Sequence, residues 1–348
     1  MPSLMTIAPE LRDQVLKEVL FPPEREPPDS PAASQDRVRR VYSGDTTDYH
    51  DGHDIWVPRT PLVAPDQHPR AILLVNRQLY HEGSALLARA AGRKTPHRLD
   101  VMYVKECGLW PTWLSVVPRA ARHIDTLHVQ FRIFDPPGDV DPVRRNPRQF
   151  VTRNVGGEPL AVWNLFALLS DYIGHGPTAF EPRVGPPCPH TVGKLVLDVA
   201  VPPPGTVDDN MGFSRDSPQT VVLEAFAKND ISKHWPRPPR GQTHRMVAEK
   251  MAYLVAGKIG ALLSMYEDYG APLYEHIGSI DICVDGQSRR LFDLDELMHI
   301  IPTRPFAAHS AKSRAQKQRQ FDEWKSKTWA KRRSLGVINP RPVVLTCG

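Results

Sequence analysis

Residues 69–92 read PRAILLVNRQLYHEGSALLARAAG, and the reading of this stretch decides where the other elements are placed. Ile72, Val75, Leu79, Gly83, Leu86 and Ala90 recur at spacings of three and four, which puts them on one stripe of a helix. Asn76, Arg77, Gln78, His81 and Glu82 fall mostly off that stripe. Gly83 removes a side chain where another helix can approach, and Gly92 supplies a stop. Such a helix draws its stability from packing, so it needs a partner. The expected partner is residues 7–20, IAPELRDQVLKEVL. Pro9 suits the first helical position and Glu10 the positive end of the dipole. Leu11, Val15 and Val19, with Leu16 and Leu20 beside them, are read as the apolar face, and Pro22-Pro23 as the end.

Together these segments carry a resemblance. Glu10-Leu11-Arg12 in the first, and Leu74, Val75, Asn76, Arg77, Gln78 and Glu82 in the second, are similar to the motifs of F-box-like and EXR-type domain proteins of filamentous fungi. The family pattern opens Leu-Pro where this chain has Ala8-Pro9, and about fifty residues (21–70) separate the motifs. The resemblance implies an F-box-like helical start over residues 1–92, with Leu11, Val15, Val19, Ile72, Val75 and Leu79 as interaction residues. It also implies a protein partner, the adaptor subunit of a cullin-type ubiquitin ligase, for which such proteins act as substrate receptors. The insert does not forbid the pairing. Loop closure costs only about 0.6 kcal/mol per doubling of length, whereas each buried aliphatic side chain contributes roughly 1.5–3 kcal/mol before entropy.

The remainder divides into a body, 93–303, and a tail, 304–348. VRRVY and DIWV within the insert read as short strands, and 99–104 as another. GLWPTWLSVVP (108–118) reads as a short helix broken by Pro111. Strands are expected at 123–134, 192–201 and 276–284, and helices at 160–174, 219–228 and 243–270. A turn at Asp285-Gly286 precedes RRLFDLDELMHII, which closes in a helix with Asp293 as N-cap. Residues 123–129, 191–197 and 276–282 share one pattern: aliphatic, Asp or Gly, polar, aliphatic, any, aliphatic. Each follows helical sequence. An α/β fold with parallel strands and crossover helices accounts for this, with α+β as the alternative. The shared pattern is either that of any buried strand or that of a leucine-rich-like sheet.

Chemistry leaves few traces. No phosphate loop, nucleophile elbow or H-E-x-x-H occurs, and no nucleophile–base–orienter set can be assembled, so an enzyme is not expected and no cofactor is implied. His50, His53 and Asp54 are weak metal-ligand candidates in a proline-rich polar stretch. The histidines at 123 and 276, each before a strand, read as packed or turn residues.

Composition and charge bound the rest. Apolar residues make up 41% and charged ones 24%, which is compatible with a folded globule. The 36 prolines are about twice the usual share of about 5%, and cluster between elements as punctuation. Residues 304–333 hold ten Lys/Arg and two acids, a local +8 against +5 for the whole chain, so the remainder carries −3. Lys325, Lys327, Lys331, Arg332 and Arg333, interleaved with Phe321, Trp324 and Trp329, make a basic aromatic tail. It reads as a solvated helix docked through its aromatics, a nuclear-targeting segment, or a nucleic-acid contact. Four scattered cysteines fit free thiols, and neither a signal peptide nor a membrane-spanning run is seen. An intracellular protein, cytoplasmic or nuclear and without a membrane partner, is the expectation. Its function is expected to be protein–protein interaction, with nucleic-acid association through the tail as the alternative.

Overall fold

The computed structural model describes residues 4–21, 24–40, 54–59, 69–91, 97–115, 123–138, 160–176, 189–203, 207, 243–264, 270–301 and 311–337. Its strands are β1 (Arg37–Arg39), β2 (Trp56–Pro58), β3 (His97–Val104), β4 (Gly108–Trp113), β5 (His123–Phe134), β6 (Thr191–Val199), β7 (Ile277–Val284) and β8 (Gln287–Asp293). Its helices are α1 (Pro9–Leu20), α2 (Arg77–Ala91), α3 (Leu160–His175), α4 (Thr243–Leu263), α5 (Ala271–His276), α6 (Leu294–Ile300) and α7 (Ala311–Ser334). The expected helix at 219–228 lies outside the described residues.

Helices and a mixed sheet make this an α/β arrangement. The main sheet runs β4-β3-β5-β6-β7-β8. β3, β5, β6 and β7 are parallel, and the two outer strands are antiparallel hairpin partners. Each parallel strand therefore lies beside its predecessor, and right-handed crossovers in that order leave all the connecting helices on one face. The apolar core agrees. Rows Leu99–Val129–Leu197–Ile282 and Val101–Phe131–Val199–Val284 share one cluster with residues of α3, α4, α5 and α6.

The repeated strand pattern proves to be the register itself. Ile124, Val192 and Ile277 are cross-strand neighbours, as are Leu127, Leu195 and Ile280, and then Val129, Leu197 and Ile282. The Asp/Gly column between them has a steric cause. A Cβ on Gly193 would sit 2.8 Å from the Asp125 carbonyl oxygen, and one on Gly278 would overlap the carbonyl of Gly193. β3 begins opposite Leu127, two residues beyond Asp125, so the first member of the column keeps a side chain.

Residues 108–113 correct the helical expectation for 108–118, since they form β4. Pro111 sits there because an edge strand does not need its missing N–H, and both faces of β4 are buried. Asp285 (φ 48°) and Gly286 (φ 72°) both occupy the left-handed region, the requirement of a two-residue type I′ hairpin turn. β8 follows that turn, where the sequence had suggested only a helix. Asp293 then caps α6 by accepting from the amides of Asp295 and Glu296, both at 3.1 Å. The stretch 69–92 is not one helix either. A 3₁₀ segment, Pro69–Leu74, precedes α2, and Asn76 caps α2 by accepting from the Leu79 amide at 2.9 Å.

Gly278→Ala is expected to cost about 1–3 kcal/mol, since the added methyl must displace backbone rather than a side-chain tip. Asp125→Ala in the same column is expected to stay within about 0.5 kcal/mol. Denaturant midpoints of the two variants check this.

Candidate functional site

α1 packs on α2 through Leu16, Leu20, Leu79 and Leu86, with Leu4, Met5, Phe21, Ile72, Leu73 and Leu87 around them. A Cβ on Gly83 would overlap the tip of Leu73 and only touch Leu20, so the glycine makes room for the 3₁₀ segment that folds back on α2. The two sequence motifs meet in one contact. Arg12 donates from Nε and Nη2 to the two Glu82 carboxylate oxygens at 2.7 and 2.8 Å. Its remaining Nη1 donates to the carbonyls of Ile7 and Met5 at 3.1 and 3.4 Å. Hydrogen bonds from Arg12 and then Gln78 hold the Glu82 carboxyl below its usual range.

This contact fixes the rotation of α1 and corrects the expected apolar face. Positions 12, 16 and 20 form one stripe, while 11, 15 and 19 lie 100° around the helix. With Arg12 turned to Glu82, Leu16 and Leu20 are buried, whereas Leu11 (54% exposed), Val15 (39%) and Val19 (39%) stay in solvent. Val75 (68%) and Leu74 (86%) are also exposed, at the break before α2. Of the six expected interaction residues, Leu79 is core and Ile72 packs against it. Leu11, Val15, Val19 and Val75 form unspent apolar surface.

The cationic tail is a helix docked through its aromatics, the first of the three readings its sequence allowed. α7 presents Phe321, Thr328 and Arg332 as buried residues, and Trp324 meets Tyr274 edge-on at 5.9 Å. Arg332 is 0% exposed. It donates to Asp295 from Nε (3.0 Å) and Nη2 (2.6 Å), and from Nη1 to the carbonyls of Ile277 (2.7 Å) and Tyr274. Lys331 pairs with Glu275 at 2.5 Å and Lys327 with Glu323 at 2.7 Å. Of the five expected tail cations, Arg332 is thus structural, Lys325 and Lys331 are half-buried, and Lys327 and Arg333 are exposed. The signal was present in the sequence, because 321, 324, 328 and 332 follow helical spacing.

His50 and His53 lie outside the described residues. Asp54 is buried, paired with Arg39 at 3.0 Å, and its carbonyl accepts from the Leu109 amide. Among the described residues, no group of three His, Cys, Asp or Glu side chains is placed to hold a metal. None of the described helices is long and apolar enough to cross a membrane.

The face of the sheet opposite the helices carries a run of polar side chains, which single-strand reading did not anticipate, and at its β3–β4 end a small apolar cluster of Trp56, Met102, Val104, Cys107 and Trp110. Arg98, Asp100, His128, Gln130, Arg132, Lys194, Asp198 and Asp281 alternate with the core rows. Arg132 holds the buried Asp100 at 2.6 and 2.8 Å, and Asp281 bridges Lys194 (2.8 Å) and Ser288 (2.6 Å). Burial, then the charges of Asp281 and Asp198, push the Cys283 thiol up to about 12, so it carries no thiolate at neutral pH. At the start of the strands, His97 and His190 are buried against Tyr172, and His276 is buried next to His190. His276 donates from Nδ1 to the His190 carbonyl at 2.9 Å, which makes it a packed residue, while His123 is exposed at the head of β5.

The described residues thus combine a helix pair with an α/β sheet whose helices pack on one face. No protein-family model, curated protein or solved structure matches the chain.

The buried ionic groups set clear demands on stability. Arg332→Ala should cost about 3 kcal/mol by leaving Asp295 and two carbonyls without their donor, while Lys327→Ala should stay within about 0.5 kcal/mol. Thermal or denaturant melts separate the two. Burial, then repulsion from His190, lowers His97 from 6.5 to about 4. The unfolded chain therefore takes up this proton before the folded one. The stability this histidine contributes should be complete above about pH 6.5 and fall by about 3 kcal/mol as pH drops to about 4. His97→Gln should flatten that slope in urea titrations run across the window.

Proposed function

We propose that the chain is a non-catalytic protein-interaction module whose first 92 residues act as an F-box-like helical start, docking the adaptor subunit of a cullin-type ubiquitin ligase. The α/β body, with its sequential parallel strands and one-sided helices, then serves as a leucine-rich-like array that presents a substrate surface. One observation carries the reading. The Arg12–Glu82 contact joins both motifs and, in doing so, keeps Leu11, Val15 and Val19 in solvent as a ready apolar stripe. An exposed row of this kind is typical of a surface kept for a partner rather than of a finished monomer.

The alternative, nucleic-acid association through the tail, is supported less well. Phe321 and Arg332 are buried, and Trp324 and Trp329 pack on the body against Tyr274 and His299. Stacking bases on these rings would require α7 to leave its seat.

Co-purification with the adaptor subunit tests the proposal. Leu11→Asp with Val15→Asp should abolish it while leaving the melting temperature within about 2 °C, because both side chains are already solvated. Retention of the adaptor by that double variant would refute the reading. Leu16→Asp is the contrasting variant, expected to lose the helix pair itself.

A further inference from the structure

The polar face of the sheet is partly occupied by the chain itself. The described stretch that follows α1, beginning at Glu24, crosses β3 and β5 on the side away from the helices. Glu24 pairs with Nη1 of Arg98 at 2.8 Å, and the Arg25 amide donates to the Leu114 carbonyl at 2.8 Å. The Pro28 carbonyl accepts from Nη2 of Arg132 at 2.7 Å. Arg98 lies opposite His128, and Arg132 lies opposite Met102, four residues further along the same strands. Four strand residues span about 13 Å, and four residues of polyproline II span about 12 Å. Glu24–Pro28 therefore lies extended along the β3–β5 seam, as a bound peptide would.

Its anchorage is uneven. Downstream, Arg37 is buried and donates to the carbonyls of Ser34, Trp56 and Pro111 and to the hydroxyls of Ser34 and Thr112. That end is fixed. Upstream, the ion pair is solvated, with the Arg98 and Glu24 side chains 40% and 41% exposed. Exposed pairs contribute little, and salt screens them. The contacts that Glu24, the Arg25 amide and the Pro28 carbonyl make over the seam are ones that a competing peptide can replace one for one. Arg132 needs no such replacement to stay in place, because Asp100 holds it from the other side.

We propose that the polar seam over β3 and β5 is a docking surface for an extended peptide bearing a carboxylate three or four residues ahead of proline, and that Glu24–Pro28 occupies it in cis. Arg98 selects the carboxylate and Arg132 takes the backbone carbonyl four residues on. Proline suits the ligand because it pre-orders the extended form and needs no amide partner. The segment in cis competes at a high effective concentration, so ligand affinity is set by how readily it leaves. The inference does not depend on what α1 binds.

A fluorescein-labelled peptide of sequence EREPPDSP, residues 24–31, titrated into the full chain by anisotropy, tests this. Glu24→Lys, which sets the cis segment against Arg98, is expected to bind the peptide at least tenfold more tightly than the wild type. Arg98→Glu should lose that peptide and gain one with lysine in place of its first glutamate. Protection of the Arg25 amide from hydrogen exchange should fall when the peptide binds. Glu24→Gln serves as the second variant should Glu24→Lys fail to fold. Equal affinity of wild type and the Glu24 variants would overturn the proposal. So would binding indifferent to Arg98→Glu, or no binding by any folded variant.

Discussion

Laying each parallel strand beside its predecessor is the constraint from which most of this structure follows. It commits every crossover to one side, so β5, β6 and β7 bury one face under α3 and α4 and leave the other without a helical cover. Where nothing else covers it, that face is polar and its charges pair locally, as Arg132 with Asp100 and Lys194 with Asp281 do, whereas beside β4 it is closed by the apolar cluster around Trp56 and Trp110. The same order brings the strand starts into line, which is why Gly193 and Gly278 occupy one column and must lack side chains. The antiparallel outer strands finish the sheet. β4 carries a proline and β8 carries exposed Gln287, Ser288 and Arg290, both poor templates for further pairing.

Three buried arginines join segments that are distant in sequence. Arg12 ties α1 to α2, Arg37 ties the insert to β4, and Arg332 ties α7 to α6 and the start of β7. Each uses the planar fork of guanidinium to satisfy several acceptors at once, which a lysine cannot do. They differ in what they add. Arg37 meets carbonyls and hydroxyls, and burial lowers it to about 10, still charged at neutral pH. Arg12 and Arg332 meet carboxylates and so also fix helix orientation. In α1 that orientation decides which apolar side chains reach solvent. A rotation of 100° would turn Leu16 and Leu20 outward and bury Leu11, Val15 and Val19, the surface now open.

Periodicity made the long elements legible. The strands at 123–134 and 276–284 and the helices at 160–174 and 243–270 emerge with ends shifted by only a few residues, except that the last helix stops at Leu263. What stayed hidden depended on partners. Residues 108–113 look helical or extended until β3 is known to lie beside them, and no local signal shows that Pro111 falls on an edge. The apolar positions of α1 cover too much of its circumference for hydrophobicity alone to choose a face. The Arg12–Glu82 contact chooses it across 70 residues. In the tail the docking through Phe321 and Trp324 was legible, and the role of Arg332 was not. A count of cations cannot show that Arg332 has buried acceptors waiting, although its spacing from Phe321 and Thr328 carried that information.

The insert between the motifs looks, as sequence, like one long excursion, and its energetics are better understood as several short ones. Arg37 holds its first part to β4, Arg39 pairs with Asp54, and Ile55 bridges to Leu109. Each attachment divides the loop, and closure entropy is then counted over shorter lengths. The division also limits where the helix pair can go. Leu20 ends α1 and Glu24 is already seated on the sheet, so four residues, at most about 14 Å of chain, connect the two surfaces. The apolar stripe of α1 and the polar seam over β3 and β5 are therefore neighbours by construction. A partner engaging one of them works within reach of the other.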